Sequence, residues 1–267
     1  MLILALDTTT RAGSIALMRD GALLAAETGD PGRTHGERLP ADIIRLLARY
    51  EIPLAAIDLF AVAAGPGSFT GLRIGIATMQ GFAVANGKGL VGVSALDALA
   101  LSAQRRIRED RDQTAGAIAV WMDAQRQEVF AAIYEAADLK SLDGPAVASP
   151  GEILARWRGC LDHDHVWFAG DGALAYRTII SNGPGRVTVI DPTPLMAPAV
   201  AMLAAQETKH GEVRRPDAIR PLYVRRPDAE LARDRANVRN AASGMGQRDP
   251  ISEPPRGGMG PTTKVDR

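Results

Sequence analysis

The chain has a single cysteine, Cys160, in 267 residues. A lone thiol excludes an internal disulfide framework and any multi-thiolate zinc or iron–sulfur centre. A reducing cytoplasm is the expected setting. Aromatic residues are only 4% of the chain, against 27 Gly and 17 Pro. Neither sign of charge is in excess: Lys+Arg and Asp+Glu are both 31, for a net charge of zero. That argues against a protein that grips nucleic acid through bulk positive charge. No apolar run approaches the roughly 18 residues of a membrane-spanning helix. The opening Met1–Leu6 is apolar, lacks a basic flank and meets Asp7 at once, which does not fit a signal peptide. What remains is an ordinary soluble composition, 46% hydrophobic and 23% charged, at a length that fits one or two domains.

The apolar runs give an alternating α/β order. Strands are expected at 2–7, 14–18 and 22–27, the last two separated by Arg19-Asp20-Gly21, a hairpin signal. Thr34-His35-Gly36-Glu37 fits a capping box. The helix it opens carries Leu39, Ile43, Leu46, Leu47 and Tyr50 at helical spacing and ends before Pro53. A buried strand at 58–63, a helix of about 15 residues, a strand at 90–93 and a helix at about 95–107 follow. Three strands, helix, strand, helix, strand, helix is the order of a ribonuclease-H-like domain with a mixed sheet. After the polar run Arg105–Asp112 the pattern partly repeats. Strands are expected at 116–122, 128–135, 165–169 and 187–190, and helices at 150–158, 172–180 and 197–209. The reading is two similar domains, 1–108 and 113–226, with helix 197–209 free to pack back on the first. Residues 240–267 hold five Gly, four Pro and no aromatic residue, a composition expected to remain a disordered tail. Arg-Arg-Pro-Asp-Ala occurs at 214–218 and 225–229, too short to be a repeat architecture.

Several residues could carry chemistry. Asp7, Thr8, Thr9 and Thr10 stand where the first strand turns; the carboxylate could orient a metal and the hydroxyls meet phosphate, or they could satisfy a tight turn. Gly65-Pro66-Gly67-Ser68-Phe69-Thr70-Gly71-Leu72-Arg73-Ile74-Gly75 is the richest stretch. Ser68 or Thr70 can cap the next helix, whose N-terminus is a ready anion site. It lacks the Gly-Lys-Ser/Thr of a P-loop, and it could equally be a turn that brings the helix close to the sheet. In that helix Leu72, Ile76, Met79 and Ala83 suit a core. Ile74, Thr78, Gly81 and Ala85 form a second, mostly small face, for internal packing or for a partner. His163-Asp164-His165 and His35 read as exposed side chains, and His210 and Cys160 belong to no motif. Lys209–Arg239 holds nine Lys/Arg against five Asp/Glu, read as a solvated surface with some capacity for phosphate.

Together the motifs resemble the TsaB (YeaZ) family, the non-catalytic subunit of the bacterial tRNA threonylcarbamoyladenosine machinery. The resemblance runs through Leu4-Ala5-Leu6-Asp7-Thr8-Thr9, the glycine stretch 65–75, Asp123-Ala124-Gln125-Arg126-Gln127-Glu128-Val129-Phe130 and Pro221-Leu222-Tyr223-Val224-Arg225. Gln125 and Phe130 depart mildly from its pattern. Coverage is residues 1 to about 226. The resemblance implies an actin-like ATPase fold of two ribonuclease-H-like domains and a cytoplasmic protein. It implies a TsaD-type catalytic partner, a TsaE-type ATPase, tRNA reached through the complex, and a homodimer when the chain is alone. The reaction implied is N6-threonylcarbamoylation of adenosine 37 in tRNAs reading ANN codons. The candidates for a nucleotide or anion loop, from their chemistry, are Asp7, Thr8, Thr9, Gly65, Gly67, Ser68, Thr70 and Arg73. The resemblance places the partner interface on helices 35–50 and 71–86, with Leu39, Ile43, Leu46, Ile74, Thr78, Gly81 and Ala85 as candidates. No catalytic or metal-binding residue is expected: where the catalytic paralogue carries a His-x3-His pair, this chain reads Gly92-Val93-Ser94-Ala95-Leu96-Asp97-Ala98-Leu99, and small alkyl residues cannot replace two imidazoles. No cofactor of its own is expected, with ATP or ADP within the complex. The competing reading is an independent nucleotide-dependent phosphotransferase, whose second glycine loop would be Gly170-Asp171-Gly172, more simply a turn. A peptidase reading lacks a nucleophile motif and metal histidines.

Overall fold

The fold is described from a computed structural model, which covers residues 1–111, 115–162, 165–183, 185–209 and 215–225. His163, Asp164, His210 and the segment 240–267 lie outside these described residues. The first half runs β1 (Leu2–Asp7), β2 (Ser14–Arg19), β3 (Ala22–Thr28), α1 (His35–Arg49), β4 (Leu59–Gly65), α2 (Phe69–Ala85), β5 (Gly89–Ser94) and α3 (Ala95–Arg111). The second runs β6 (Ala117–Asp123), β7 (Val129–Glu135), β8 (Ser141–Ala148), α4 (Pro150–Arg156), β9 (Val166–Ala169), α5 (Asp171–Ala175), α6 (Arg177–Ser181), β10 (Val187–Val189) and α7 (Ala197–Lys209).

The two halves make two five-stranded sheets of one topology, β3-β2-β1-β4-β5 and β8-β7-β6-β9-β10. In each, an antiparallel three-strand meander is extended by two parallel strands. That is the duplicated ribonuclease-H-like arrangement of the actin-like ATPase fold. Strand alternation decides which core each side chain joins. On β1 and β4, Ile3, Ala5, Leu59, Ala61 and Ala63 face a core shared with α3, α7 and the second sheet. Leu2, Leu4, Leu6, Phe60 and Val62 face α1 and α2. On β6 and β9, Ile118, Val120, Trp167 and Ala169 join the shared core, while Ala117, Ala119, Trp121, Val166 and Phe168 pack with α4 and its neighbours. Helix α3 touches both sheets, and α7 lies on the first sheet and on α3. Residues 1–225 accordingly form one compact unit.

Some elements differ from the expectation. The segment Ser141–Ala148, with its Asp143-Gly144-Pro145, carries turn residues and was not expected as a strand. It pairs with β7 through two register shifts, at a sheet edge, where a proline costs no ladder bond. The single helix expected at 172–180 is two, broken at Tyr176.

Two histidines expected to be exposed are buried. His165 stacks on Trp167, centroids 4.3 Å apart, with Nε2 2.9 Å from Thr188 Oγ1. His35 begins α1 behind the expected Thr34–Glu37 capping box. Its Nε2 lies 2.9 Å from the Thr10 carbonyl oxygen, so that nitrogen carries the proton, and Nδ1 accepts from Arg38 Nη2 at 3.0 Å. Burial holds the His35 pKa below its ordinary value, and the Arg38 charge adds to that. Arg38 is itself buried, donating through Nη1 to Asp42 Oδ2 at 3.0 Å and through Nη2 to the Ala12 carbonyl. This cluster ties α1 to the β1–β2 turn. Removing one partner leaves the other charge buried and uncompensated. Asp42→Ala is therefore expected to cost about 3 kcal/mol, read from urea unfolding, whereas Arg45→Ala on the exposed flank costs under about 1 kcal/mol.

Candidate functional site

The first strand ends at Asp7, which is buried with Thr8 and Thr9. The Thr9 backbone N–H and hydroxyl both donate to Asp7 Oδ1, at 2.8 and 2.5 Å. The glycine stretch folds directly onto these residues. Ser68 N–H donates to the Thr9 carbonyl at 2.8 Å. Ser68 caps α2, its Oγ accepting from the Gly71 N–H at 3.2 Å. A Cβ on Gly71 would sit 2.1 Å from the Thr8 carbonyl oxygen, and one on Gly75 2.1 Å from Thr8 Oγ1. Both are far inside contact distance, so these glycines exist to let α2 lie against the end of β1. Gly67 abuts Thr9, and Gly65 abuts the Leu222 carbonyl. The loop's glycines thus lie against Thr8, Thr9 and the Leu222 carbonyl of the chain itself. The Thr8 hydroxyl is buried against α2 with no hydrogen-bond partner among the described residues.

Arg73 is placed by Phe69, one turn earlier on α2, and by Tyr223, 150 positions away. Its guanidinium lies 3.7 Å from the centroid of the Phe69 ring, and Nε donates to the Tyr223 hydroxyl at 3.2 Å. Phe69 and Tyr223 stack, centroids 5.5 Å apart. This brings the Pro221–Arg225 motif onto the start of α2. The same segment is seated by Gln80 Nε2 donating to the Pro216 and Ile219 carbonyls at 2.8 and 3.2 Å. The Leu222 N–H donates to the Ala64 carbonyl at 2.7 Å, and Ile219 is buried in the core beneath α2.

Two further carboxylates are Asp123, which ends β6, and Asp171, which follows β9 of the second sheet, and the charge of Asp171 acts on Asp7. Asp171, the first residue of α5, accepts from the N–H groups of Asp123 and Gly172 at 3.0 and 2.9 Å. Burial raises the pKa of Asp171, and the Asp123 charge adds to it. Burial pushes Asp7 up to about 6; the two Thr9 bonds oppose this and the Asp171 charge reinforces it. Gly170 and Gly172 press on Trp121, a Cβ on Gly170 falling 2.1 Å from the Trp121 carbonyl oxygen, so this stretch also serves close packing. Among the described residues no group of three or more His, Cys, Asp or Glu could hold a metal ion.

The hairpin after β6 is unusual. Gln125, Arg126 and Gln127 have φ of 59°, 56° and 62°. Three successive non-glycine residues in the left-handed region cost about 1–2 kcal/mol each. Asp123 steadies the turn, accepting from Gln125 N–H at 2.8 Å and Gln125 Nε2 at 2.6 Å. Arg225 holds the other side. It donates to the Ala124 carbonyl at 2.7 Å, pairs with Glu128 and lies 5.8 Å from the Phe130 centroid. The two motifs at 123–130 and 221–225 are thus each other's partners, which their separation in sequence hid.

The candidate interface residues divide. Leu39, Ile43 and Leu46 are 1%, 0% and 0% exposed: they form the core face of α1 and cannot meet a partner. The outward face of α1 is Pro40, Ala41, Ile44, Arg45 and Ala48. On α2, Gly81 and Ala85 are exposed, and Ile74 and Thr78 half-buried.

The family model described as TsaD, tRNA N6-adenosine threonylcarbamoyltransferase, matches residues 30–233. The solved structure of YeaZ from Pseudomonas aeruginosa is 32% identical, with a TM-score of 0.66 over 83% of this chain and 99% of that one. The chain belongs to the TsaB (YeaZ) family. A tRNA threonylcarbamoyladenosine biosynthesis protein TsaB from Escherichia coli is 38% identical over 135 residues, 51% of this TsaB-family chain and 55% of that protein. An uncharacterized protein of Mycobacterium leprae is 34% identical over 156 residues, and the match spans only 40% of its length. Among the described residues, no helix is long and apolar enough to cross a membrane.

Because the Asp7 pKa is raised, its contribution favours the fold below the unfolded value and is lost as pH rises through about 6. An asparagine could accept both Thr9 bonds without a charge. Asp7→Asn is expected to gain stability relative to the parent by about 2–3 kcal/mol between pH 4 and pH 7.5. Parallel denaturant titrations at the two pH values measure it; a constant difference would refute the buried, ionised carboxylate.

Proposed function

We propose that this chain binds and activates a TsaD-type catalytic subunit for N6-threonylcarbamoylation of adenosine 37 in tRNAs reading ANN codons. It carries no transfer chemistry of its own. A TsaE-type ATPase and tRNA join through the complex, ATP or ADP is bound only there, and the setting is cytoplasmic. The reading rests on the family together with one observation. The neighbouring helices α1 and α2 leave mostly apolar and small residues uncovered: Ile44, 52% exposed, with Pro40, Ala41 and Arg45 on α1, and Val84, 66% exposed, with Ala77, Gly81 and Ala85 on α2. Side chains this short let a partner helix approach closely. The same face would serve a homodimer when the catalytic subunit is absent. At the start of α3, Ala95, Leu96, Ala98 and Leu99 are buried in the shared core, and Ser94 Oγ accepts from the Asp97 N–H at 3.2 Å. That helix start carries no histidine, and its carboxylate, Asp97, accepts from the Tyr134 hydroxyl at 2.6 Å.

Nothing lies within 4 Å of a Cβ at Gly81, so the folded chain accepts a side chain there. Gly81→Arg is expected to keep the melting temperature while abolishing micromolar binding to the TsaD-type subunit, because it buries an unpaired charge worth several kcal/mol between helices. Size-exclusion chromatography of the mixed proteins reads this. Threonylcarbamoylation with TsaD-type and TsaE-type subunits, tRNA and threonylcarbamoyl-adenylate, with and without this chain, tests the function. Transfer by this chain alone would overturn the proposal.

A further inference from the structure

Among the described residues, two routes lead from α2 to the β6–β7 hairpin. One runs from Ser68 to Thr9 and Asp7, then across to Asp171, whose carboxylate holds the Asp123 N–H. Its middle link is only the like-charge influence of Asp171 on Asp7, so it does not pull the two sheets together. The other runs through the segment 215–225. Ile219 is anchored in the core, Tyr223 is held by Arg73 and Phe69 of α2, and two residues on, Arg225 grips Ala124 and Glu128. This route is attractive at every link. It ends on a hairpin whose three left-handed, exposed residues, Gln125–Gln127, persist only if their surroundings impose that conformation. Backbone strain of this kind is characteristic of contact and switch elements.

We propose that Arg225 is a positioning residue: the 215–225 segment straps α2 to the β6–β7 hairpin and fixes the Gln125–Gln127 tip for work in the complex. The inference rests on the proposed role of α2 as the partner-binding helix. The strap starts on that helix and ends on the hairpin, so a partner seated on α2 stiffens the tip without touching it. Arg225 acts through the Ala124 carbonyl and Glu128 and has no part in the chemistry.

The test is hydrogen exchange of the full chain, alone and with the TsaD-type subunit, alongside the reconstituted transfer assay. In the isolated chain, Arg225→Ala should speed exchange at 124–128 about tenfold, as expected for a lost charge-assisted hydrogen bond. Exchange in β1 and α1 should not change. Glu128→Gln should do the same more weakly, and Arg225→Lys should recover part of the protection. The Arg225→Ala complex should still form, with transfer kcat lowered and the KM for tRNA unchanged. Unchanged exchange at 124–128 overturns the inference, and so does faster exchange with wild-type kcat. Failure of the wild-type chain to bind the TsaD-type subunit instead removes the proposed function, and with it the coupling; the exchange arm on the isolated chain separates these results.

Discussion

The close approach of α2 to the end of β1 is the constraint on which the rest of this molecule depends. Only hydrogen fits at Gly71 and Gly75, because Thr8 occupies the space where a side chain would stand. That contact sets the height and angle of α2 over the sheet. It thereby puts Leu72, Ile76 and Met79 into the core and turns Gly81, Val84 and Ala85 outward. It also fixes where Phe69 and Arg73 emerge, and so where the 215–225 segment can dock. In the TsaB family setting, the glycine stretch reads as a packing device whose product is a helix face.

Electrostatics at the open ends of the two sheets have an uneven character. Asp7 is a buried carboxylate whose charge the half-buried Asp171 disfavours. Arg225 lies partly exposed and satisfied by a carbonyl, a carboxylate and a ring. The fold therefore tolerates repulsion at one point while a cation bridges the halves at another. The Arg38–Asp42–His35 cluster follows the usual rule for buried charge, each group having a specific partner. Its net worth in stability is small beside the penalty of breaking it.

Much of this was legible in the residues. Apolar runs marked nine of the ten strands, and the Thr34–Glu37 box marked the start of α1. The motifs at 4–9, 65–75, 123–130 and 221–225 pointed to the family now shown. What escaped was physical in origin. An edge strand such as β8 can contain Gly144 and Pro145, so its composition imitates a loop. The histidines at 35 and 165 looked solvated because burial of a polar ring depends on partners, Thr10, Arg38 and Thr188, that lie far along the chain or across a sheet. Helical spacing showed that Leu39, Ile43 and Leu46 share a face of α1, but not that the face was turned inward.

Local rules are written in the sequence: periodicity fixes which side chains share a face, capping residues fix where helices start, and glycine marks where backbones can meet. These determined the order of elements, the duplicated sheets and the family. Tertiary structure alone decided that the glycine stretch is filled by Thr8 and Thr9, and that Arg73 is braced by Tyr223. It alone joined Arg225 to Glu128. Each of these pairs residues separated by tens to more than a hundred positions, and such contacts exist only once the sheets have formed and brought their ends together.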